Sequence, residues 1–187
     1  MYIALYILAA LVGIIIILAL IAPKKYQVSR SISINRSKAD VFEYLKYMKN
    51  QDHWAPWAKR DANMKQVFTG TDGTIGFVSA WDSDHKQVGA GEQEIKMLQP
   101  NDRIESELRF LKPWKSQSMG FFALEDEGSN ATKVTWGFYG SHKPPTNIMM
   151  LFMNLDKAVG KDFEEGLASL KHILENQGGQ TDHSEEE

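Results

Sequence analysis

Residues 145–176, PTNIMMLFMNLDKAVGKDFEEGLASLKHILEN, carry apolar side chains at Ile148, Phe152, Leu155, Val159, Phe163, Leu167, Leu170 and Leu174. Steps of three and four residues predict one long helix with a single apolar side. Asp156, Lys157, Lys161, Asp162, Glu164, Glu165 and Lys171 supply the wet side. Pro144 and Pro145 bar an earlier start, Thr146 or Asn147 can cap the first turn, and Gly178 and Gly179 end the helix. At ~1.5 Å per residue such a helix runs on the order of 45 Å and demands a large apolar partner.

The chain upstream reads as that partner. Tyr26, Val28, Ile32 and Ile34 alternate with polar residues, as in a half-buried strand. Ser37 can cap a short helix whose apolar side is Val41, Phe42, Leu45 and Met48, with Asp40 at the positive end of its dipole. The segment Asn50 to Lys59, NQDHWAPWAK, is aromatic and broken by proline. Strands are then expected at Met64 to Thr69, from Ile75 through Phe77 to Trp81, at Val88 to Leu98, and at Ile104 to Phe110. Two more, Ser116 to Glu127 and Lys133 to His142, pair across Gly128-Ser129-Asn130. This order, strand, short helices, six strands and long helix, predicts an α+β fold in which a curved antiparallel sheet wraps the C-terminal helix. The tail Gln177 to Glu187 has nothing to bury and is expected to be disordered.

Residues Tyr2 to Ala22, YIALYILAALVGIIIILALIA, form an uncharged apolar run of the length that spans a ~30 Å hydrocarbon core. A cleaved signal peptide fits less well, because no basic segment precedes the run and Pro23 follows its only suitable small residue, Ala22. The expected organisation is a transmembrane anchor over residues 1–23, a folded domain over 24–176 and the tail. Lys24, Lys25 and Arg30 follow the run and no basic residue precedes it, which places the domain on the cytoplasmic side.

Composition removes several functions. The net charge of -3 and the lack of a basic patch with interleaved aromatics point away from nucleic acid. With no cysteine, disulfides, thiolate metal sites and cysteine nucleophiles are absent. His53, His85, His142, His172 and His183 show no metal-ligand spacing, and no Gly-x-Ser-x-Gly elbow occurs. No metal or cofactor is expected. Asp82-Ser83-Asp84-His85 reads as a hairpin tip.

Several blocks in order, RSISINRSKADVFEYL (30–45), HWAPWAKRDANMK (53–65), TGTDGTIGFVSAWDSDHKQVGAGEQEI (69–95), KVTWGFYG (133–140) and GKDFEEGLASLKHILE (160–175), resemble the START/Bet v 1-like (SRPBCC) superfamily. The resemblance is strongest to its polyketide cyclase/dehydrase and lipid-transport-like group. It covers about Tyr26 to Glu175 and implies a helix-grip fold with a cavity between sheet and helix. It also implies a hydrophobic small molecule or lipid as partner, held non-covalently; the alternative is a cyclase- or dehydratase-like enzyme acting on a polyketide or aromatic substrate.

The candidate ligand-binding residues are Trp54, Trp57, Trp81, Gln93, Ser106, Phe121, Trp136, Met150 and Met153. Trp54 and Trp57 flank Pro56 in a segment suited to a lid, or to a satellite core. Trp81, Phe121 and Trp136 lie on expected strands, where core and cavity wall overlap. Met150 and Met153 offer thioethers that adapt to ligand shape, or ordinary packing. Gln93 and Ser106 are polar residues on inward-looking faces, suited to orienting a ligand or satisfied locally. Acid–base chemistry would need a titratable group inside: Glu92 or Glu94 if a bulge at Gly89 or Gly91 changes the register, or His53. The division at residue 23 makes a first prediction. A chain starting at Lys24 is expected to be soluble and folded, with a cooperative thermal transition by circular dichroism; aggregation of that chain counts against the two-part organisation.

Overall fold

A computed structural model describes residues 2–128 and 130–176. Helix α1 (Tyr2–Ile21) is followed by strand β1 (Lys25–Ile34), helix α2 (Lys38–Lys46) and two short helices, α3 (Gln51–Trp54) and α4 (Pro56–Arg60). Six strands come next: β2 (Lys65–Thr69), β3 (Val78–Asp82), β4 (Ala90–Gln99), β5 (Arg103–Lys112), β6 (Ser116–Asp126) and β7 (Thr132–Ser141). A 3-10 segment, Thr146–Leu151, leads into the final helix α5 (Leu155–Asn176). The seven strands form one antiparallel sheet in the order β1-β7-β6-β5-β4-β3-β2. The expected helix-grip architecture is present.

Local chemistry explains the boundaries. Ser37 caps α2, its hydroxyl accepting from the Asp40 amide. The Asn50–Lys59 segment divides into α3 and α4 at Ala55, with Pro56 at the first position of α4, where its missing N–H costs nothing. The start of β3 differs from expectation. Ile75 stands in an exposed turn, where Gly76 takes a φ of 88° that excludes most side chains, and β3 begins only at Val78. The hairpin after β6 closes with the Glu127 amide on the Ala131 carbonyl at 2.9 Å.

The last helix is shorter than its apolar pattern predicts. The Lys157 amide donates to the Asn154 side-chain oxygen at 2.9 Å, so Asn154 caps α5 and the helix starts at Leu155. Ile148 and Phe152 share the period of the helix without belonging to it, and Phe152 is 80% exposed. The 22 residues of α5 span roughly 33 Å. Gly178, Gly179 and the tail expected to be disordered lie outside the described residues.

The dry core gathers at one end of the grip. Leu167, Leu170 and Leu174 of α5 pack with Val41, Phe42 and Leu45 of α2, and with Ile34, Leu124 and Val134 of the sheet. Trp54 is fully buried there, edge-on to Trp136 at 4.8 Å between ring centroids. Gly166 lets α5 approach this cluster, since a Cβ there would stand 2.7 Å from the Trp136 ring. Alanine in place of glycine inside a helix normally stabilises by about 1 kcal/mol. Gly166→Ala is expected to do the reverse, lowering stability by about 1–2 kcal/mol through overpacking, as a urea melt would read.

Candidate functional site

The other half of the grip is hollow. Between the sheet and the first turns of α5 lies a cavity of about 710 Å³. Leu155, Val159, Asp162 and Phe163 supply its helical wall, and no residue of α5 beyond Phe163 reaches it. The sheet contributes Trp81, Gln93, Ser106, Leu108, Phe122 and Trp136, all inward by strand alternation. The mouth lies between the β5–β6 hairpin, with Trp114, and the segment carrying Met149, Met150 and Met153.

Most of the sequence-derived candidates meet on this wall. Trp57, Trp81, Gln93, Ser106, Trp136, Met150 and Met153 line the cavity; Phe121 borders it, but alternation turns its ring to the outer face, against Arg103 at 4.6 Å and Tyr139 at 6.1 Å. Trp54 does not. It sits behind Trp136 in the dry core, because α3 turns its side chain toward α2 and the sheet rather than toward the opening. Gln93 donates from Nε2 to the Ser106 hydroxyl at 2.7 Å, tying β4 to β5 and setting two polar groups into an otherwise apolar surface.

Three polar features of the wall escaped the sequence. Tyr26 of β1 shares a hydrogen bond of 2.8 Å with Ser118, and His142 stacks on the Tyr26 ring at 5.3 Å. Asp162 of α5 pairs with Arg60 of α4 through two hydrogen bonds, one of 2.9 Å from Nη1. Asp52 accepts from Gln66 at 2.8 Å. Tyr26 and Ser118 lie 92 residues apart, and Arg60 and Asp162 lie 102 apart, so no local pattern pairs them.

The carboxylates of β4 and β5 stay out of the cavity. Register shifts do occur at Ala90/Gly91 and at Ile95/Met97, yet Glu92 and Glu94 remain on the outer face. There they meet Arg109, which donates to Glu92, Glu94 and Glu107 at 2.5–2.8 Å. Those hydrogen bonds raise the Arg109 pKa, and Arg109 with Lys96 holds the Glu94 carboxyl below the usual carboxylate range. His53 also lies off the cavity, beside the Tyr44 hydroxyl at 3.4 Å. Among the described residues no group of three or more histidine or acidic side chains is placed to hold a metal ion.

A curved antiparallel sheet closed by one long helix over a cavity of this kind defines the Bet v 1-like helix-grip class, and the chain has that fold. No family model matches the sequence, and no curated protein does. Solved structures do. The chain is similar to a truncated norcoclaurine synthase from Thalictrum flavum at 10% identity, over 88% of this chain and 98% of that one, with a TM-score of 0.60. It is similar to the Aha1 dimer from Colwellia psychrerythraea at 17% identity, over 80% and 96%, with a TM-score of 0.55. DynU16, a protein of the dynemicin biosynthetic locus, matches at 16% identity over 81% of this chain and 48% of its own length, with a TM-score of 0.52. At such identities the likeness is one of fold.

The Arg60–Asp162 pair yields a prediction at the rim of the site. Its side chains are only 26% and 16% exposed, so Arg60→Ala leaves a carboxylate largely shielded from water and unpaired. A loss of about 1–3 kcal/mol in chemical denaturation is expected. Arg30→Ala, whose partners Asp156 and Glu164 are 64% and 59% exposed, should cost less.

Proposed function

We propose that this chain is a membrane-anchored binding domain for a hydrophobic small molecule or lipid, held non-covalently between the sheet and α5. The observation that carries the reading is the cavity itself. About 710 Å³ walled by aromatic, leucine and methionine side chains, with a few hydroxyl and amide groups, has the size and composition of a small-molecule site. Binding would draw on desolvation: burying about 300 Å² of apolar ligand surface yields on the order of 7 kcal/mol before ordering costs. Gln93, Ser106 and the Tyr26–Ser118 pair would orient any polar end of the ligand. Helix α1, 20 residues with a mean hydropathy of 3.1 and almost wholly exposed, supports the anchor. The cytoplasmic placement of the domain rests on Lys24, Lys25 and Arg30 alone.

A catalytic reading, cyclase or dehydratase chemistry on an aromatic substrate, finds its support in Asp162 and His142 on the wall. Asp162 is committed to Arg60, and His142 to a stacking contact with Tyr26. A general base would have to be released from these contacts. Binding alone needs no such step.

Native mass spectrometry of the full chain, with extraction of whatever co-purifies, tests the binding reading. A stoichiometric apolar molecule is expected. An empty protein that also takes up no lipophilic fluorescent probe would overturn it. Leu108→Trp, which fills the space beside Gln93, is expected to weaken probe binding about tenfold or more, equivalent to ~1.4 kcal/mol. Unchanged affinity in that variant would place the probe elsewhere.

A further inference from the structure

The end of α1 is fastened to the cavity mouth by one buried side chain. Ala19 lies four residues before Pro23, so its carbonyl has no intrahelical partner, because proline carries no N–H. Asn147 fills that gap. Its Nδ2 donates to the Ala19 carbonyl at 2.8 Å and to the Ala22 carbonyl at 3.0 Å, and the residue is 0% exposed. Both acceptors are carbonyls, which fixes the orientation of the amide. Ala19 and Ala22 are themselves buried, whereas nearly all the rest of α1 is exposed.

Asn147 belongs to the segment that forms the rim of the cavity. Within a few residues of it, Met149, Leu151, Phe152 and Met153 are exposed, Phe152 to 80%. Across the opening, Trp114 at the β5–β6 hairpin is 64% exposed. Exposed apolar groups gathered at one opening mark an interaction surface. The bound end of α1 says which one. A helix of ~30 Å matches the hydrocarbon core, so its last turn lies at the membrane surface, and the segment hydrogen-bonded to that turn lies there too. Lys24, Lys25, Lys115 and Lys143 are exposed in the same stretches, as suits phosphate headgroups, and a tryptophan prefers that depth.

We propose that the cavity mouth is a membrane-docking surface, held against the bilayer by the Asn147 clamp on α1, with Phe152, Leu151, Met149 and Trp114 seated in the lipid interface. The cavity then opens toward the membrane, and a ligand passes between bilayer and cavity without crossing bulk water. This rests on the reading of α1 as a membrane span. It deepens the binding proposal by naming the membrane as the source of the ligand.

The chain has no cysteine, so single cysteines carrying an environment-sensitive fluorophore report one position at a time. The full chain is placed in phosphatidylcholine vesicles containing lipids with a nitroxide near the headgroup. Labels at Phe152→Cys and Trp114→Cys are expected to emit at shorter wavelength than in water and to be quenched. A label at Glu127→Cys, at the opposite end of the sheet, is expected to stay water-like. Water-like emission at either 152 or 114, with a Val12→Cys label quenched by deeper nitroxides, overturns the docking and leaves the anchor standing. A Val12→Cys label that escapes quenching overturns the anchor and the docking together. Neither result depends on a bound ligand, so failure of the binding proposal is read separately by mass spectrometry. Asn147→Ala is expected to reduce quenching in the Phe152→Cys chain while leaving that in the Val12→Cys chain. Unchanged quenching at 152 overturns the role of the clamp.

Discussion

The structure turns on the contact between α5 and Trp136. Phe163 lies against that indole at 4.5 Å between centroids, Gly166 lets the helix backbone come close to it, and Phe122 stacks on the indole at 5.8 Å. Everything on one side of this contact is dry core; everything on the other is cavity. The C-terminal half of α5 is held by buried leucines, each worth a few kcal/mol. The N-terminal half is tethered differently. Arg30 on β1 donates to Asp156 at 2.8 Å and to Glu164 at 2.6 Å, and Gly160 leaves room for the guanidinium. These ion pairs hold the helix at the sheet edge without filling the space beneath it. Partly exposed pairs contribute little, so the free energy of local opening is lowest at the mouth. The same helix is held by buried leucines at one end and by ion pairs at the sheet edge at the other.

Charge placement keeps the carboxylates of β4 and β5 out of the interior. Glu94 and Glu107 stand directly opposite each other across β4 and β5, an arrangement that destabilises a sheet unless a cation bridges it. Arg109 and Lys96 do so on the outer face. Strand alternation then sends Gln93, Ser106 and Leu108 inward, and the two register shifts in β4 do not send a carboxylate into the cavity. A cavity with amides and hydroxyls on its walls can admit apolar surface without paying to desolvate a free charge.

Most of the fold was legible because period and alternation are local signals. The strands follow from two-residue alternation, and α5 from its three- and four-residue steps. The start of α5 was misread because Ile148 and Phe152 continue the helical spacing by coincidence, while the cap at Asn154 carries no apolar signal. Ile75 was misread for a similar reason: one apolar residue before Phe77 extended an alternation that Gly76 interrupts. Gln93 and Ser106 were legible as polar residues on inward faces. Trp54 stayed open between lid and satellite core, since a sequence shows that an indole needs burial and not which layer receives it; it packs behind Trp136. Tyr26 with Ser118, and Arg60 with Asp162, depend on contacts across about half the chain, which no local pattern encodes.

The junction between α1 and the cavity has the same non-local origin. Strand β1 begins just after α1, and β7 ends just before the 3-10 segment; these two strands are neighbours, paired from Lys25↔Ser141 onward. The ladder extends one step further, with the His142 amide donating to the Lys24 carbonyl at 2.9 Å. Two short leads, Ala22 to Lys24 and His142 to Asn147, therefore leave the sheet from the same edge and the same end. Their meeting follows from the sheet order. Pro23 frees the Ala19 carbonyl at that point, and a buried carbonyl without a partner costs about 1–3 kcal/mol. An amide donor reaching it from the second lead removes that cost and couples the direction of α1 to the rim of the cavity. The proline that ends the helix thus creates the site at which the helix is held.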